Sequence, residues 1–233
     1  MRIEGSKALV TGGSRGIGRA IAEALIEKGG AVTITGRDQA ALREAAKAIG
    51  AHAIRCDVGV EEDAASSVRS AVEHHGRIDI LVNNAGFGRF APLVEMSLET
   101  LESVYRTNVF GAFVTAREAA RLMIAQGSGN IVNIASTSGL RGGRGSTAYS
   151  SSKFALRGMT QCWREELRRH NVRVMLVNPS EVLTDFAATA GFEQEASAKK
   201  LRAREIADAV VGALALDDRG FIPEFSVFAT NPF

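Results

Sequence analysis

A tyrosine and a lysine four residues apart are the pair in this sequence best suited to acid–base chemistry. Tyr149 and Lys153 flank three serines, and a further serine, Ser136, lies upstream. On a helix, positions i and i+4 share one face, so the lysine ammonium can lie near the phenol oxygen. A phenol ordinarily loses its proton near pH ~10, and a neighbouring cation lowers that pKa. We therefore expect Lys153 to bring the pKa of Tyr149 towards neutrality, where tyrosine can exchange a proton with a substrate.

A glycine-rich loop near the start of the sequence is typical of a phosphate-binding turn. The run Thr11-Gly12-Gly13-Ser14-Arg15-Gly16-Ile17-Gly18 follows a strand-like segment and opens a helix-like one. Glycine lets the backbone turn sharply and approach a pyrophosphate, and the N-terminus of a helix offers unpaired N–H groups. The spacing differs from the commoner Gly-x-Gly-x-x-Gly, but the strand–loop–helix context favours a nucleotide site.

Charged residues after the second strand-like segment bear on which nucleotide is bound. An acid about 20 residues beyond the loop would bind the ribose 2′-hydroxyl of NAD, and Asp38 has this spacing. Asp38 also precedes a helix start, so an N-cap is its favoured role. Arg37, with Arg15 of the glycine loop, could instead bind a 2′-phosphate through paired donors. The sequence therefore favours NADP(H) over NAD(H).

These residues lie among alternating strand-like and helix-like segments. The strand-like segments are Lys7–Thr11, Ala31–Thr35, Ala51–Cys56, Ile80–Asn83, Ile131–Ala135, Val172–Val177 and Phe221–Phe228. The helix-like segments are Ile17–Lys28, Gln39–Ile49, Glu61–His75, Leu98–Gln126, Thr147–Arg169 and Arg204–Leu216. This alternation predicts an α/β fold with one doubly wound, Rossmann-type parallel sheet of about seven strands and helices on both faces. We expect a single domain over residues 1–233.

The bulk composition is that of a soluble globular protein, with 45% hydrophobic and 23% charged residues. A net charge of +2 does not favour nucleic-acid binding. No apolar run approaches the ~20 residues that span a bilayer, and the first residues lack a signal-peptide pattern. The two cysteines, Cys56 and Cys162, and the four histidines form no metal-binding pattern. We expect no metal, no membrane partner, reduced thiols and a cytoplasmic location.

Taken together, the motifs resemble those of the short-chain dehydrogenase/reductase family over nearly the whole chain. The glycine loop resembles the cofactor loop of that family, Asp57-Val58 its adenine-binding pair, and Asn83-Asn84-Ala85-Gly86 the motif that ends its fourth strand. The resemblance implies a catalytic set of Asn108, Ser136, Tyr149 and Lys153. It further implies a cofactor site formed by Gly12, Ser14, Arg15, Gly16, Ile17, Gly18, Arg37, Asp57, Val58, Asn84, Ala85, Gly86, Tyr149, Lys153, Pro179, Val182 and Thr184.

The resemblance also implies a role for each catalytic residue. Tyr149 would donate a proton to a carbonyl oxygen, and Lys153 would lower its pKa and hold the nicotinamide ribose. Ser136 would hydrogen-bond the carbonyl oxygen; Ser138 competes for this role, but the serine–tyrosine spacing of the family favours Ser136. Asn108 would anchor a water relay to Lys153. The cofactor implied is NADP(H).

The chain departs from the family pattern in two places. Ser180 stands where the family usually has glycine after Pro179, and the usual glycine-rich tail is missing. In the family that tail often forms subunit contacts, so the resemblance does not imply a particular tetramer for this chain. We nevertheless expect a homodimer or homotetramer, because Leu98–Gln126 and Thr147–Arg169 carry much apolar surface. Its residues include Phe110, Phe113, Leu156, Met159 and Trp163.

The substrate is open between several classes of carbonyl compound. We expect a pocket between Leu140–Thr147, which carries Arg141 and Arg144, and Val182–Ala203, which carries Phe186 and Phe192. The second segment is either a mobile lid or an ordinary surface helix pair. A 3-oxoacyl thioester is the leading hypothesis, and a basic face could dock an acidic carrier protein through Arg164, Arg168, Arg169 and Arg173. The alternatives are a small alcohol, sugar, steroid or diketone, or a non-catalytic NADP(H)-binding regulator.

Overall fold

A sheet of seven parallel strands forms the centre of the computed structural model, which describes residues 1–191, 197 and 199–231. Its strands are β1 (Lys7–Val10), β2 (Ala31–Gly36), β3 (His52–Arg55), β4 (Ile80–Asn83), β5 (Gly129–Ile134), β6 (Val172–Pro179) and β9 (Glu224–Val227). Two short strands, β7 (Val182–Leu183) and β8 (Leu201–Arg202), pair separately. The helices are α1 (Gly16–Glu27), α2 (Gln39–Ile49), α3 (Glu61–His75), α4 (Leu98–Tyr105), α5 (Ala112–Gln126), α6 (Thr147–Leu167), α7 (Phe186–Ala190) and α8 (Ala203–Leu214).

Alternate side chains of the central strands enter cores on opposite faces of the sheet. Ala8 and Val10 of β1 pack with α1, α2 and α8 on one face, whereas Leu9 packs with α3 and α5 on the other. Burial on both faces explains why these strands are nearly all apolar. The arrangement confirms the predicted Rossmann-type sheet with helices on both faces.

The strand order creates one crevice where a ligand can enter. The order is β3-β2-β1-β4-β5-β6-β9, so the chain first builds outward from β1 and then returns to place β4 on its other side. In doubly wound sheets, ligands bind at the carboxyl ends of the strands beside this reversal. The glycine loop follows β1, and Asn84-Ala85-Gly86 follows β4, so both motifs reach the crevice.

Three segments differ from the sequence expectation. The expected helix Leu98–Gln126 contains a π-helical stretch, Arg106–Gly111, between α4 and α5. The last sheet strand is shorter than Phe221–Phe228, and Val182–Ala203 contains β7, α7 and β8. Phe192 lies outside the described residues. Across the described part of the chain, no helix has the length and apolar character needed to cross a membrane.

Candidate active site

A cleft of about 610 Å³ opens at the carboxyl ends of β1 and β4. From the glycine loop, it is lined by Gly12, Ser14, Arg15, Gly16 and Ile17. From the ends of the next strands, it is lined by Arg37, Asp57, Val58, Asn84, Ala85 and Gly86. The remaining predicted residues that line it are Tyr149 and Lys153 of α6 and Thr184 after β7. The fold thus brings most of the residues expected at the cofactor site to one surface.

Close backbone approaches explain the glycines of the loop. Gly12 and Gly16 have positive φ values of 65° and 56°, which side chains rarely tolerate. A Cβ atom on Gly12 would lie 2.9 Å from the Cα atom of Ala85, and one on Gly18 would lie 2.4 Å from the carbonyl oxygen of Gly12. Gly18 is therefore needed for packing of α1 against the glycine loop and is not among the residues that line the cleft, and its place in the cofactor site stays a prediction.

Asn84 joins the two loops that meet at the cleft. Its amide nitrogen donates to the carbonyl oxygens of Thr11 and Gly12 at 3.0 and 3.1 Å. The hydroxyl of Thr11 in turn accepts hydrogen bonds from the backbone N–H groups of Asn84 and Ala85. The side chain of Asn84 thus holds the glycine loop in place.

Two arginines and a helix-capping aspartate lie at the far end of the cleft, away from Tyr149; the end beside Tyr149 is the near end. Arg15 and Arg37 are exposed and line the cleft wall. Asp38 accepts hydrogen bonds from the N–H groups of Ala40 and Ala41 at 2.9 and 3.1 Å, which confirms that it caps α2. Asp57 accepts from the N–H of Gly59 at 3.0 Å and so shapes the turn after β3.

Ser136, Tyr149 and Lys153 meet at the near end of the cleft. Ser136 lies close enough to Tyr149 to act on its pKa, and its hydroxyl accepts from the N–H of Ser138 at 3.1 Å. The ammonium of Lys153 lies 5.7 Å from the centre of the Tyr149 ring and donates to the carbonyl oxygen of Ile134 at 2.9 Å. Of the two candidate serines, Ser136 is the one in contact with the tyrosine.

Burial governs the protonation of Tyr149 and Lys153. It raises the pKa of Tyr149 to about 12, although the nearby Ser136 hydroxyl opposes this change, and it lowers the pKa of Lys153 to about 8. The expectation that Lys153 brings down the pKa of Tyr149 is therefore wrong for this structure. Loss of solvation is the largest cause for both groups, because each group loses the water that stabilises its charged form. At neutral pH Tyr149 keeps its proton and can donate it.

Asn108 lies in the π-helical stretch beneath the cleft. Its amide nitrogen donates to Phe87 O at 2.9 Å and to Ser152 Oγ at 3.0 Å, and its oxygen accepts from Phe87 N at 3.0 Å. A Cβ atom on Gly86 would lie 3.0 Å from Asn108 Oδ1 and 3.6 Å from Lys153 Nζ. Asn108 therefore joins the loop after β4 to α6 close to Lys153. π-Helical bulges are frequent at functional sites.

Sequence reasoning missed one of the two phenylalanines beside Tyr149. The ring centre of Phe90 lies 5.7 Å from that of Tyr149, and the ring centre of Phe186 lies 5.2 Å away. Phe186 was expected in the pocket, but Phe90 was not. The glycine Gly88 between Phe87 and Phe90 was the available signal, since an unexplained glycine between aromatic residues often marks close packing.

Several other expected residues lie away from the cleft surface. Pro179 ends β6 and Val182 is buried in the core, and neither lines the cleft. Within the described residues, Leu140–Thr147 does not line the cleft either. This segment instead contacts the loop after β4 through a 2.9 Å hydrogen bond from Ala91 N to Gly145 O. Arg141 and Arg144 are exposed on that segment.

Two of the four arginines expected on a basic docking face are held by hydrogen bonds to other parts of the chain, and one of them, Arg173, is buried. Arg173 is buried on β6 and donates to Asn130 Oδ1 at 2.7 Å and to the carbonyl oxygens of Leu214 and Gly220. Arg164 donates to the carbonyl oxygens of Val174 and Pro223. Both guanidinium groups donate to backbone carbonyls that need partners, and Arg164 remains partly exposed.

The shape and chemistry of the cleft fit a dinucleotide. Glycines line the end of the cleft where phosphates would lie, and Arg15, the N-cap residue of α1, makes no side-chain capping bond to the first turn of that helix. The hydroxyl of Thr35, on the cleft wall, is buried with no partner among the described residues. Such an orphan hydroxyl suits a ligand with hydrogen-bonding groups. The described residues contain no cluster that could hold a metal ion.

The fold and cleft together define a class: an α/β oxidoreductase that works with a nicotinamide dinucleotide. The chain belongs to the short-chain dehydrogenase family, because the family model described as "short chain dehydrogenase" matches residues 6–195. Human 3-oxoacyl-[acyl-carrier-protein] reductase is 39% identical over 178 residues, which cover 76% of this chain and 75% of the human protein.

Two solved structures share the fold over almost their full length. A metagenomic short-chain oxidoreductase in complex with NADP has a TM-score of 0.86 and 34% identity, covering 99% of this chain and 100% of the other. An alcohol dehydrogenase from the archaeon Thermococcus sibiricus, complexed with 5-hydroxy-NADP, also has a TM-score of 0.86, with 27% identity and 97% coverage of both chains.

Proposed function

We propose that this protein is an NADPH-dependent carbonyl reductase. The observation that supports this proposal most is the meeting of Tyr149 with buried Lys153 and with Ser136 at the near end of a cleft with glycine-lined walls. Tyr149 is protonated at neutral pH, as a proton donor to a carbonyl oxygen must be. Arg15 and Arg37 at the far end carry positive charge suited to a phosphate.

Each catalytic residue has a distinct part in the proposed reduction. When bound, the reduced nicotinamide supplies the hydride that the carbonyl carbon accepts. As the carbonyl electron pair moves to oxygen, Tyr149 transfers its phenol proton to that oxygen, and Ser136 stabilises the developing charge by a hydrogen bond. Lys153 holds the nicotinamide ribose and helps to return a proton to Tyr149. Asn108 fixes the loop after β4 against α6 and anchors the water relay to Lys153.

The residues that would hold the cofactor divide the cleft into two ends. The glycine loop and the start of α1 would bind the pyrophosphate, and Asp57 and Val58 the adenine. Arg15 and Arg37 would bind the 2′-phosphate, which favours NADP(H) over NAD(H). Asp38 is engaged at the start of α2, so its carboxylate is a poorer candidate for the ribose hydroxyls of NAD. Thr184, 3.6 Å from a Cβ atom placed on Gly16, would contact the carboxamide.

A 3-oxoacyl thioester is the leading substrate proposal. It is supported by the similarity to the human reductase that carries this name. A carrier-protein docking surface receives less support, because Arg173 is buried and Arg164 is engaged with backbone carbonyl oxygens. A free ketone, sugar, steroid or diketone is the second enzymatic candidate, and the aromatic residues around Tyr149 favour a compact apolar carbonyl.

A panel of carbonyl compounds tests the proposed function. NADPH absorbance is followed with acetoacetyl thioesters, simple ketones and diketones, at low and high salt and with NADH in parallel. Turnover of any carbonyl compound with NADPH supports the proposal and excludes the non-catalytic regulator. If the thioesters are inert while a ketone turns over well, the small-carbonyl candidate replaces the thioester. If no compound of the panel is reduced, the protein is not the proposed reductase.

We also propose a homodimer or homotetramer located in the cytoplasm. Phe110 and Phe113 are 58% and 41% exposed, so apolar surface is available for a subunit contact. Both cysteines are unpaired, as expected for a reducing compartment.

A further inference from the structure

Two phenylalanines from separate parts of the chain converge on Tyr149. Phe90 lies in the loop after β4, and Phe186 begins α7. Their rings are tilted by 51° and 52° to the ring of Tyr149, at centre distances of 5.7 and 5.2 Å. Tilted aromatic pairs at these distances are favourable contacts. The substrate must therefore reach the phenol oxygen beside aromatic walls.

Gly88 shows how closely the two walls approach each other. A Cβ atom at this position would lie 2.8 Å from Phe90 Cε2 and 2.9 Å from Phe186 Cζ. Real Cβ atoms essentially never come this close, so a side chain at this position would require one or both rings to shift. The segment Phe87-Gly88-Arg89-Phe90 thus carries the ring of Phe90 and leaves room for the ring of Phe186.

A separate set of contacts fastens α7 over the cleft. Arg89 donates to the carbonyl oxygen of Thr189 at 2.5 Å, and its guanidinium lies 5.2 Å from the centre of the Phe87 ring. In the segment that links β6 to α8, β7 pairs with β8, and Lys200 forms a 2.8 Å ion pair with Glu181. These contacts hold Phe186 opposite the loop after β4.

We infer that Phe90 and Phe186 select a carbonyl that carries a flat apolar ring next to the reacting group. This inference rests on the proposed carbonyl reductase activity and adds the character of its substrate. A planar ring can stack against or meet the edges of both phenylalanines, whereas a methyl group or a flexible alkyl chain lacks a π face. Phe186 lines the cleft, and Phe90 beside it is 39% exposed. The selection applies equally to a free ketone and to a thioester.

Matched 3-oxo esters isolate this selection from the rest of the substrate. Ethyl benzoylacetate and ethyl acetoacetate differ only in a phenyl or a methyl group beside the reacting carbonyl. We expect a higher kcat/KM for the phenyl ester with NADPH. In Phe90→Leu and in Phe186→Leu, the ratio of the two kcat/KM values falls about three- to ten-fold, because leucine keeps apolar area but loses the ring contact.

Phe228→Leu is the matched control, because Phe228 is a 63% exposed phenylalanine beyond β9 and away from the cleft. Its phenyl-to-methyl ratio stays that of the unmodified protein. A general structural defect would lower both esters together and leave the ratio unchanged, so thermal melting and NADPH affinity are measured for every variant. If both esters are reduced and the ratio is near one, or is unmoved by both cleft variants, the inference is wrong.

A binding measurement separates this inference from the proposed activity. If neither ester is reduced, the wider panel of carbonyl compounds decides the reductase proposal, and ring selection is still measurable by calorimetry with 1-phenylethanol and butan-2-ol in the presence of NADP. Tighter binding of the phenyl alcohol that weakens in Phe90→Leu and Phe186→Leu supports an aromatic-selective site. Equal binding of the two alcohols overturns it.

Discussion

At the scale of single residues, burial determines the chemistry available to Tyr149 and Lys153. The sequence predicted that the two side chains lie close together, and the structure places the ammonium 5.7 Å from the ring centre. The sequence could not show the free-energy cost of removing both groups from water, because that cost depends on the surrounding sheet and helices. A protonated tyrosine is suited to reduction, and the reverse oxidation needs the phenolate, which becomes easier to form as pH rises.

Lys153→Met should make the protein more stable but inactive. The pKa of Lys153 lies at about 8, below its ordinary value of 10.5, so the buried charge opposes folding at pH 7. We expect removal of that charge to raise the free energy of unfolding by about 1–3 kcal/mol at pH 7. Between pH 8 and 10.5 the unfolded chain binds more protons than the folded protein, so the unmodified protein gains stability with rising pH and the difference shrinks.

Urea unfolding of both proteins at pH 7 and pH 9.5 measures this difference. A variant less stable than the unmodified protein at pH 7 would mean that the bond from Lys153 to Ile134 outweighs the burial of charge.

Arg37→Ala tests the choice of cofactor. The variant should lose much more affinity for NADPH than for NADH, because only NADPH carries the 2′-phosphate that the guanidinium meets. Titration calorimetry with both cofactors measures the change, and Arg141→Ala, an exposed arginine outside the cleft lining, is the control. Equal affinity of the unmodified protein for NADPH and NADH would refute the assignment.

At the scale of elements, local patterns predicted where chemistry occurs better than how it is supported. The glycine loop, the Asp38 cap of α2 and the place of Asn84-Ala85-Gly86 at the end of β4 follow from short motifs with known backbone requirements. The π-helical stretch at Asn108 and the contact of Phe90 with Tyr149 do not, because both depend on segments distant in sequence. Gly18 likewise has the motif spacing of a phosphate residue but a packing role.

Gly18→Ala tests that packing role. The added methyl group would lie 2.4 Å from both Asn84 Nδ2 and the carbonyl oxygen of Gly12, so we expect a loss of about 1–3 kcal/mol of unfolding free energy. Gly212→Ala is the matched control in α8, where an added Cβ meets nothing within 4 Å. It should stabilise the protein by about 0.5–1 kcal/mol, because alanine favours a helix. Urea denaturation of both variants gives the comparison, and equal stability of Gly18→Ala and the unmodified protein would contradict it.

At the scale of the whole molecule, strand and helix alternation predicted the architecture because hydrophobic periodicity reflects burial directly. It could not show that Arg173 lies on a buried strand face, since a charged residue in a strand reads as exposed until its partners are known. Similarly, Leu156 belongs to the internal core, whereas Phe110 and Phe113 stay exposed. That residues 1–233 form one domain stays a prediction.

Sedimentation tests the proposed oligomer. We expect the mass of a dimer or tetramer at micromolar concentration, and a smaller species in the double variant Phe110→Glu, Phe113→Glu, because charge opposes burial of the exposed face. Leu156 was expected on the apolar surface of the subunit contact but is only 2% exposed, so fewer residues than expected are available for that contact. A monomeric mass for the unmodified protein would exclude the oligomer.

Tyr149→Phe is the most direct test of the proposed mechanism, because it removes the donor oxygen and leaves the ring between Phe90 and Phe186. NADPH-dependent reduction of the best carbonyl compound is measured beside NADPH binding by fluorescence titration. We predict that kcat falls by about 10²- to 10⁴-fold, the usual contribution of a general acid, while NADPH affinity stays close to that of the unmodified protein. Turnover near that of the unmodified protein would contradict the assignment of Tyr149 as the proton donor.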